Sequence, residues 1–107
     1  MSIRTLPRAE WNAYFDAFSR TKSDTGRIDH AEIRILSLED GVQPQTHRVP
    51  LQGLTYDPKG DLLEVIMTGL DHLVGHPETI YVDEEAGRLR RLDVVRRDGT
   101  QEIIELR

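Results

Sequence analysis

The chain contains no cysteine, which excludes disulfides, thiolate nucleophiles and cysteine-ligated zinc or iron–sulfur centres. Small secreted domains commonly depend on disulfide staples, so this absence points to a cytoplasmic protein. Long apolar runs are also lacking. No stretch approaches the ~20 apolar residues that cross a bilayer. The N-terminal region is interrupted by Arg4, Arg8, Glu10, Asp16 and Arg20 and offers no apolar core for a secretion signal. Positive charge is not in excess either: the net charge is −5, a field that repels phosphate backbones and speaks against general nucleic-acid binding. Familiar catalytic signatures are missing. Ser2, Ser19, Ser23 and Ser37 lie in no G-x-S-x-G or S-x-x-K context, and Gly53, Gly60, Gly69 and Gly75 are too scattered for a phosphate loop.

With 107 residues, the chain is expected to fold as a single domain, burying roughly two-thirds of the surface of its unfolded form. Trp11, Tyr14, Phe15 and Phe18 fall at i, i+3, i+4 and i+7 and predict an amphipathic helix over about 7–20, with Thr5 as its cap and Pro7 in its first turn. That aromatic stripe is expected to pack on a sheet. Polar residues 19–27 read as a connector. From Ile28 the period changes to two: Ala31, Ile33 and Ile35 alternate with Glu32, Arg34 and Leu36. A turn at Glu39-Asp40-Gly41 leads to a return strand over 46–51, with Pro50 at an edge or bulge, and a short extended piece over 53–56. Asp57-Pro58-Lys59-Gly60-Asp61 is a turn. Leu62 to Thr68, apolar on both faces, predicts a central strand. Short strand 79–83, turn 84–87, long strand 88–97, an Asp98-Gly99 hairpin turn and strand 101–106 complete the pattern. The fold class is therefore α+β: one N-terminal helix on a strongly bent antiparallel sheet or small open barrel of about six or seven strands, the hairpin-rich region covering 28–107.

The densest collection of chemically capable groups is Gly69-Leu70-Asp71-His72-Leu73-Val74-Gly75-His76-Pro77, which holds two of the four histidines. Asp71, His72 and His76 are candidate ligands for a metal such as zinc. The i, i+4 histidine spacing would suit a helix, but Gly75 and Pro77 oppose one, and no glutamate follows His72 as in H-E-x-x-H. The competing expectation is a structural turn, with Asp71 capping a short helical turn over 70–74. Asp29-His30 and Thr46-His47 could face each other on paired strands and, with His72, form a three-histidine site.

Arg88, Arg90, Arg91, Arg96 and Arg97 are a candidate interaction surface. Alternation places Arg88, Arg90 and Arg96 on one side and Arg91 and Arg97 on the other unless a bulge intervenes. Cross-strand pairing with Glu102, Glu105 or Asp83–Glu85 competes with anion binding, and without interleaved aromatics there is no base-stacking platform.

Several segments carry a family resemblance. They are Leu6-Pro7-Arg8-Ala9-Glu10-Trp11 with Tyr14-Phe15, and Val49-Pro50-Leu51 with Gly53-Leu54-Thr55-Tyr56-Asp57-Pro58. They also include Gly69-Leu70-Asp71-His72-Leu73 with His76-Pro77 and Ile80-Tyr81-Val82-Asp83-Glu84. Together they resemble the domain-of-unknown-function (DUF) 5335 family of small bacterial proteins. The resemblance implies a free-standing bacterial domain and supplies no catalytic or binding residue. The combined reading is a non-enzymatic binding or interaction module with no cofactor, acting on an unknown protein partner or on itself as a homodimer through sheet edges, away from membranes and nucleic acid. The alternatives are a metal-assisted enzyme using Asp71, His72 and His76, and a nucleic-acid binder using the arginine strand.

Overall fold

A computed structural model describes residues 2–37 and 41–107, with the side chains of 44–47 excepted. The order is β1 (Ser2–Leu6), a 3-10 turn (Arg8–Glu10), α1 (Trp11–Thr25), β2 (Asp29–Ser37), β3 (Gly41–Asp57), β4 (Leu62–Met67), β5 (Leu70–Gly75), β6 (Pro77–Glu85), β7 (Arg88–Arg96) and β8 (Gln101–Leu106). All eight described strands join one antiparallel sheet in the order β1-β6-β7-β8-β2-β3-β4-β5. The α+β class and the single N-terminal helix are as expected. The sheet has more strands than the expected six or seven, and it stays open, with β1 and β5 at its edges.

The sheet nevertheless curls hard. β5 and β8 are four strands apart in the order, which in a flat sheet would separate them by about 19 Å. Instead, His72 on β5 lies 2.5 Å from Glu102 on β8. Period-two alternation sorts the residues: Ile80 and Val82, Leu92 and Val94, Ile104 and Leu106, Ala31 and Ile33, and Leu63, Val65 and Met67 all turn to the concave side and are buried. α1 closes part of that concavity with Trp11 and Phe15 fully buried and Tyr14 and Phe18 at the margin. Trp11 meets Tyr56 edge-on at 5.1 Å between centroids, and its Nε1 donates to the Leu6 carbonyl at 2.8 Å.

The helix corrects the expected 7–20 boundary at both ends. Pro7 precedes the 3-10 turn, and Thr5 belongs to β1 opposite Tyr81. The helix continues through the expected connector to Thr25, where Gly26 at φ +67° accepts the left-handed cap. Tertiary contacts hold this polar half. Ser19 Oγ donates to the Leu54 carbonyl at 2.7 Å and accepts from the Leu54 N–H at 2.9 Å. β2 ends opposite Leu51, so Ser19 satisfies strand groups that β2 no longer reaches. Gly53 permits the approach, since a Cβ there would sit 3.2 Å from Ser19 Oγ. Lys22, also buried, donates from Nζ to the Arg27 carbonyl at 2.6 Å.

Three further differences concern strands. β3 runs unbroken from Gly41 to Asp57, with register shifts on both sides of its middle. β4 is next to an edge rather than central. Leu70–Gly75 is the edge strand β5, not a helical turn. Of the Glu39-Asp40-Gly41 turn, Glu39 and Asp40 lie outside the described residues. Among the described residues, no helix is long and apolar enough to cross a membrane.

Candidate functional site

Alternation along β5 decides the fate of the histidine-rich segment. His72 pairs with Val65 and Val74 with Leu63, both inward-facing, so Asp71 turns outward. There it lies beside Glu64, whose pKa is raised by burial and then by Asp71. His76 belongs to no strand. It makes the β5–β6 corner at φ +53°, where its N–H donates to the Asp61 carbonyl and its carbonyl accepts from the Arg97 N–H, each at 2.9 Å. Asp71, His72 and His76 therefore point three ways and form no joint metal site. Among the described residues, no three His, Asp or Glu side chains gather for a metal ion. His30 lies opposite Pro50, and Thr46 lies opposite Ile33, so Asp29-His30 and Thr46-His47 do not face each other. The His47 side chain lies outside the described residues.

His72 instead reaches Glu102, which is 1% exposed. A carboxylate only accepts, so Nε2 carries the hydrogen to Oε1 at 2.5 Å. Arg96 Nη1 approaches Oε2 at 3.6 Å, and Arg96 Nε donates to the Gly75 carbonyl at 3.3 Å. Both carboxylate oxygens are occupied and shielded, which leaves no face for a substrate. The trio locks edge strand β5 onto the sheet's interior. Sequence reasoning missed Glu102 as its centre, although the signal was present: Glu102 is in phase with the buried Ile104 and Leu106.

A second hub surrounds Asp61. Its carboxylate accepts from Tyr56 Oη at 2.7 Å and meets Arg8 at 3.3 Å, with His76 and Arg97 at 3.4 Å. The Tyr56 hydroxyl, foremost, and the Arg8 and His76 contacts hold its carboxyl below the usual range. The hub ties together the β3–β4 turn, the segment after β1, the β5–β6 corner and the end of β7.

The arginine strand does not form one patch. A register shift makes Arg91 and Leu89 successive partners of Asp83 and Glu84, leaving Arg90 as the inserted residue and breaking the expected alternation. Arg88 meets Asp29 at 3.3 Å, Arg91 meets Asp93 at 2.8 Å, Arg96 meets Glu102 and Asp98, and Arg97 meets Asp61.

The remaining candidate surface is the sheet's free edge at β1. Ser2, Ile3, Arg4 and Thr5 are exposed, and only Leu6 is buried. Leu6 and Arg4 turn inward, Arg4 towards Glu84 and the Tyr14 ring, so Ile3 and Thr5 face outward. Ile3 is 68% exposed, and exposed Tyr81 lies opposite Thr5 on β6.

Compared with known proteins, the chain matches over residues 2–107 the model described as a family of unknown function, DUF5335. The chain belongs to this family. The DUF5335 match takes in nearly the whole chain, including β1 and the His72 strand that carried the resemblance. An uncharacterized protein of Aquifex aeolicus (strain VF5) is 33% identical over 108 residues, covering 100% of this chain and 94% of the relative. No solved structure matches.

Proposed function

We propose that this DUF5335 chain is a non-catalytic interaction module whose working surface is the free edge of β1, and that its partner is a second copy of itself. The observation that carries the proposal is an open sheet ending in a strand exposed at every position but one, flanked by the outward-facing Ile3 and Tyr81. Such an edge presents unpaired N–H and C=O groups and adds strands unless blocked. Charge favours β1 over the other edge. The only charge on β1, Arg4, is matched by Glu84, whereas β5 presents Asp71 beside Glu64, so a second copy of this acidic chain is repelled there. The buried trio and the Asp61 hub stiffen the sheet behind the edge.

Light scattering after gel filtration, from micromolar to millimolar protein, tests this. A monomer–dimer equilibrium is expected, and Ile3→Glu should shift it to monomer without lowering the monomer's melting temperature. A monomer at every concentration, or a dimer indifferent to Ile3→Glu, would overturn the proposal.

A further inference from the structure

The sheet ends a second time at β5. This strand pairs with β4 residue for residue, from Leu70 on Met67 to Gly75 on Leu62, and among the described residues its other side meets no strand. It therefore presents its own row of unpaired N–H and C=O groups. His72 pins the strand to Glu102 at 2.5 Å, so the row is held extended before any partner arrives, which lowers the cost of ordering on binding. Free edges are commonly blunted by proline, lysine, a bulge or extreme shortness. β5 has six residues in unbroken register, without proline or lysine. Asp71 alone could be an edge guard, but Glu64 stands on β4, one strand in from the edge. Glu64 lies opposite Leu73 and Asp71 opposite Ile66, so the two acids are diagonal neighbours on the outer face, next to Leu73, which is 53% exposed. Burial, and after it Asp71, raises the pKa of Glu64, and no cation offsets them. The basic groups at the far end of β5 are turned elsewhere, Arg96 to Glu102 and Asp98, and Arg97 and His76 to Asp61. Two like charges side by side oppose folding, and a cation brought from outside relieves them.

We infer that the β5 edge takes up a basic extended segment of another protein as a further strand, with a Lys or Arg of that segment beside Asp71 and Glu64 and an apolar side chain beside Leu73. Period two sets Asp71 and Leu73 on one face, so the segment carries its cation and its apolar residue two positions apart. Backbone bonds supply affinity, and the two side-chain positions supply selectivity. The acidity that turns a second copy away from β5 is what draws this partner, and its binding does not depend on the β1 dimer.

The test is titration of the labelled full chain, unaltered and as Ile3→Glu, followed by amide chemical shifts. The probe is a short end-blocked peptide with lysine and valine alternating at every second position and threonine between them. Three controls accompany it: the same peptide with glutamate for lysine, the same peptide with proline for threonine, and calcium chloride as a bare cation. Saturable shifts at Leu70 to Leu73 and at Glu64 are expected with the lysine peptide in both forms of the chain, with a Kd on the order of 1 mM or tighter. The glutamate peptide, repelled by Asp71 and Glu64, and the proline peptide, which keeps the charge but lacks the N–H groups of a strand, should each bind at least ~10-fold more weakly. Asp71→Lys should weaken the lysine peptide at least ~10-fold without lowering the melting temperature, since Asp71 is exposed and the new ammonium meets Glu64. The inference is overturned by no saturable shift at ~5 mM lysine peptide, by equal binding of the glutamate or proline peptide, or by calcium shifting the same amides as tightly. Shifts centred on β1, loss of binding in Ile3→Glu, or undiminished binding by Asp71→Lys would overturn it equally.

Discussion

Replacing His72 with alanine strips the buried Glu102 of its nearest partner. The Nε2–Oε1 contact of 2.5 Å disappears, and the carboxylate, 1% exposed, keeps only Arg96 at 3.6 Å. Breaking a fully buried pair costs ~3–5 kcal/mol, but Arg96 remains and the His72 side chain is 16% exposed. A loss of ~2–3 kcal/mol is therefore expected, which in a domain of this size lowers the melting temperature by roughly 10–20 °C. Glu102→Leu should be far milder, because it removes the buried charge and fits a face shared with Val94 and Ile104. Arg96 retains Asp98 at 3.7 Å and partial access to water. The decisive quantity is the coupling in a urea-denaturation cycle. With the carboxylate gone, His72→Ala should cost only its lost packing, giving a coupling of at least ~1.5 kcal/mol. Additivity within ~0.5 kcal/mol would refute the claim that the curl brings β5 and β8 together through this contact.

Four further outcomes are expected. The carboxyl of Asp61 has a folded pKa below its ordinary 3.8, so its contribution is complete above that value and is lost as pH falls through the lower folded pKa; Asp61→Asn should flatten the acid limb of stability against pH, and an unchanged limb would contradict this. Glu64 has a raised pKa, so its ionisation opposes folding as pH rises; Glu64→Gln should raise the melting temperature at pH 7 and make no gain at pH 3. Ser19→Ala removes two bonds to Leu54 and should cost ~1–3 kcal/mol in chemical denaturation. Gly53→Ala, which presses a Cβ to 3.2 Å from Ser19 Oγ, should also destabilise, less than additively with Ser19→Ala because both act at one contact.

What could be read from the sequence was set by local period and turn chemistry. Ala31 and Ile33 announced the concave face by alternation, and Asp98-Gly99 announced its hairpin. Trp11, Phe15 and Phe18 announced the helix face. The helix's second half could not be read this way, because Ser19, Thr21, Ser23 and Thr25 are weak helix formers, held by Ser19 on Leu54 and Lys22 on the Arg27 carbonyl. β1 has only Ile3 and Leu6 as apolar residues, three apart, and becomes a strand by pairing with β6. In β5 the glycines and proline suggested a turn, yet the corner falls on His76, fixed by backbone bonds to Asp61 and Arg97. The polar trio was half legible: His72 and Arg96 stood out as residue types, but only the phase of Glu102 with Ile104 betrays its burial. Arg90 shows the limit of alternation, since one inserted residue re-sorts the arginines around it.

Amide hydrogen exchange of β1, followed as protein concentration rises, tests the central claim most directly. Amides of Ser2 to Leu6 that do not pair with β6 should exchange freely in dilute protein and become protected as the dimer forms, while Ile3→Glu keeps them open at every concentration. Protection that never changes with concentration, or that appears at β5 instead, would contradict the account.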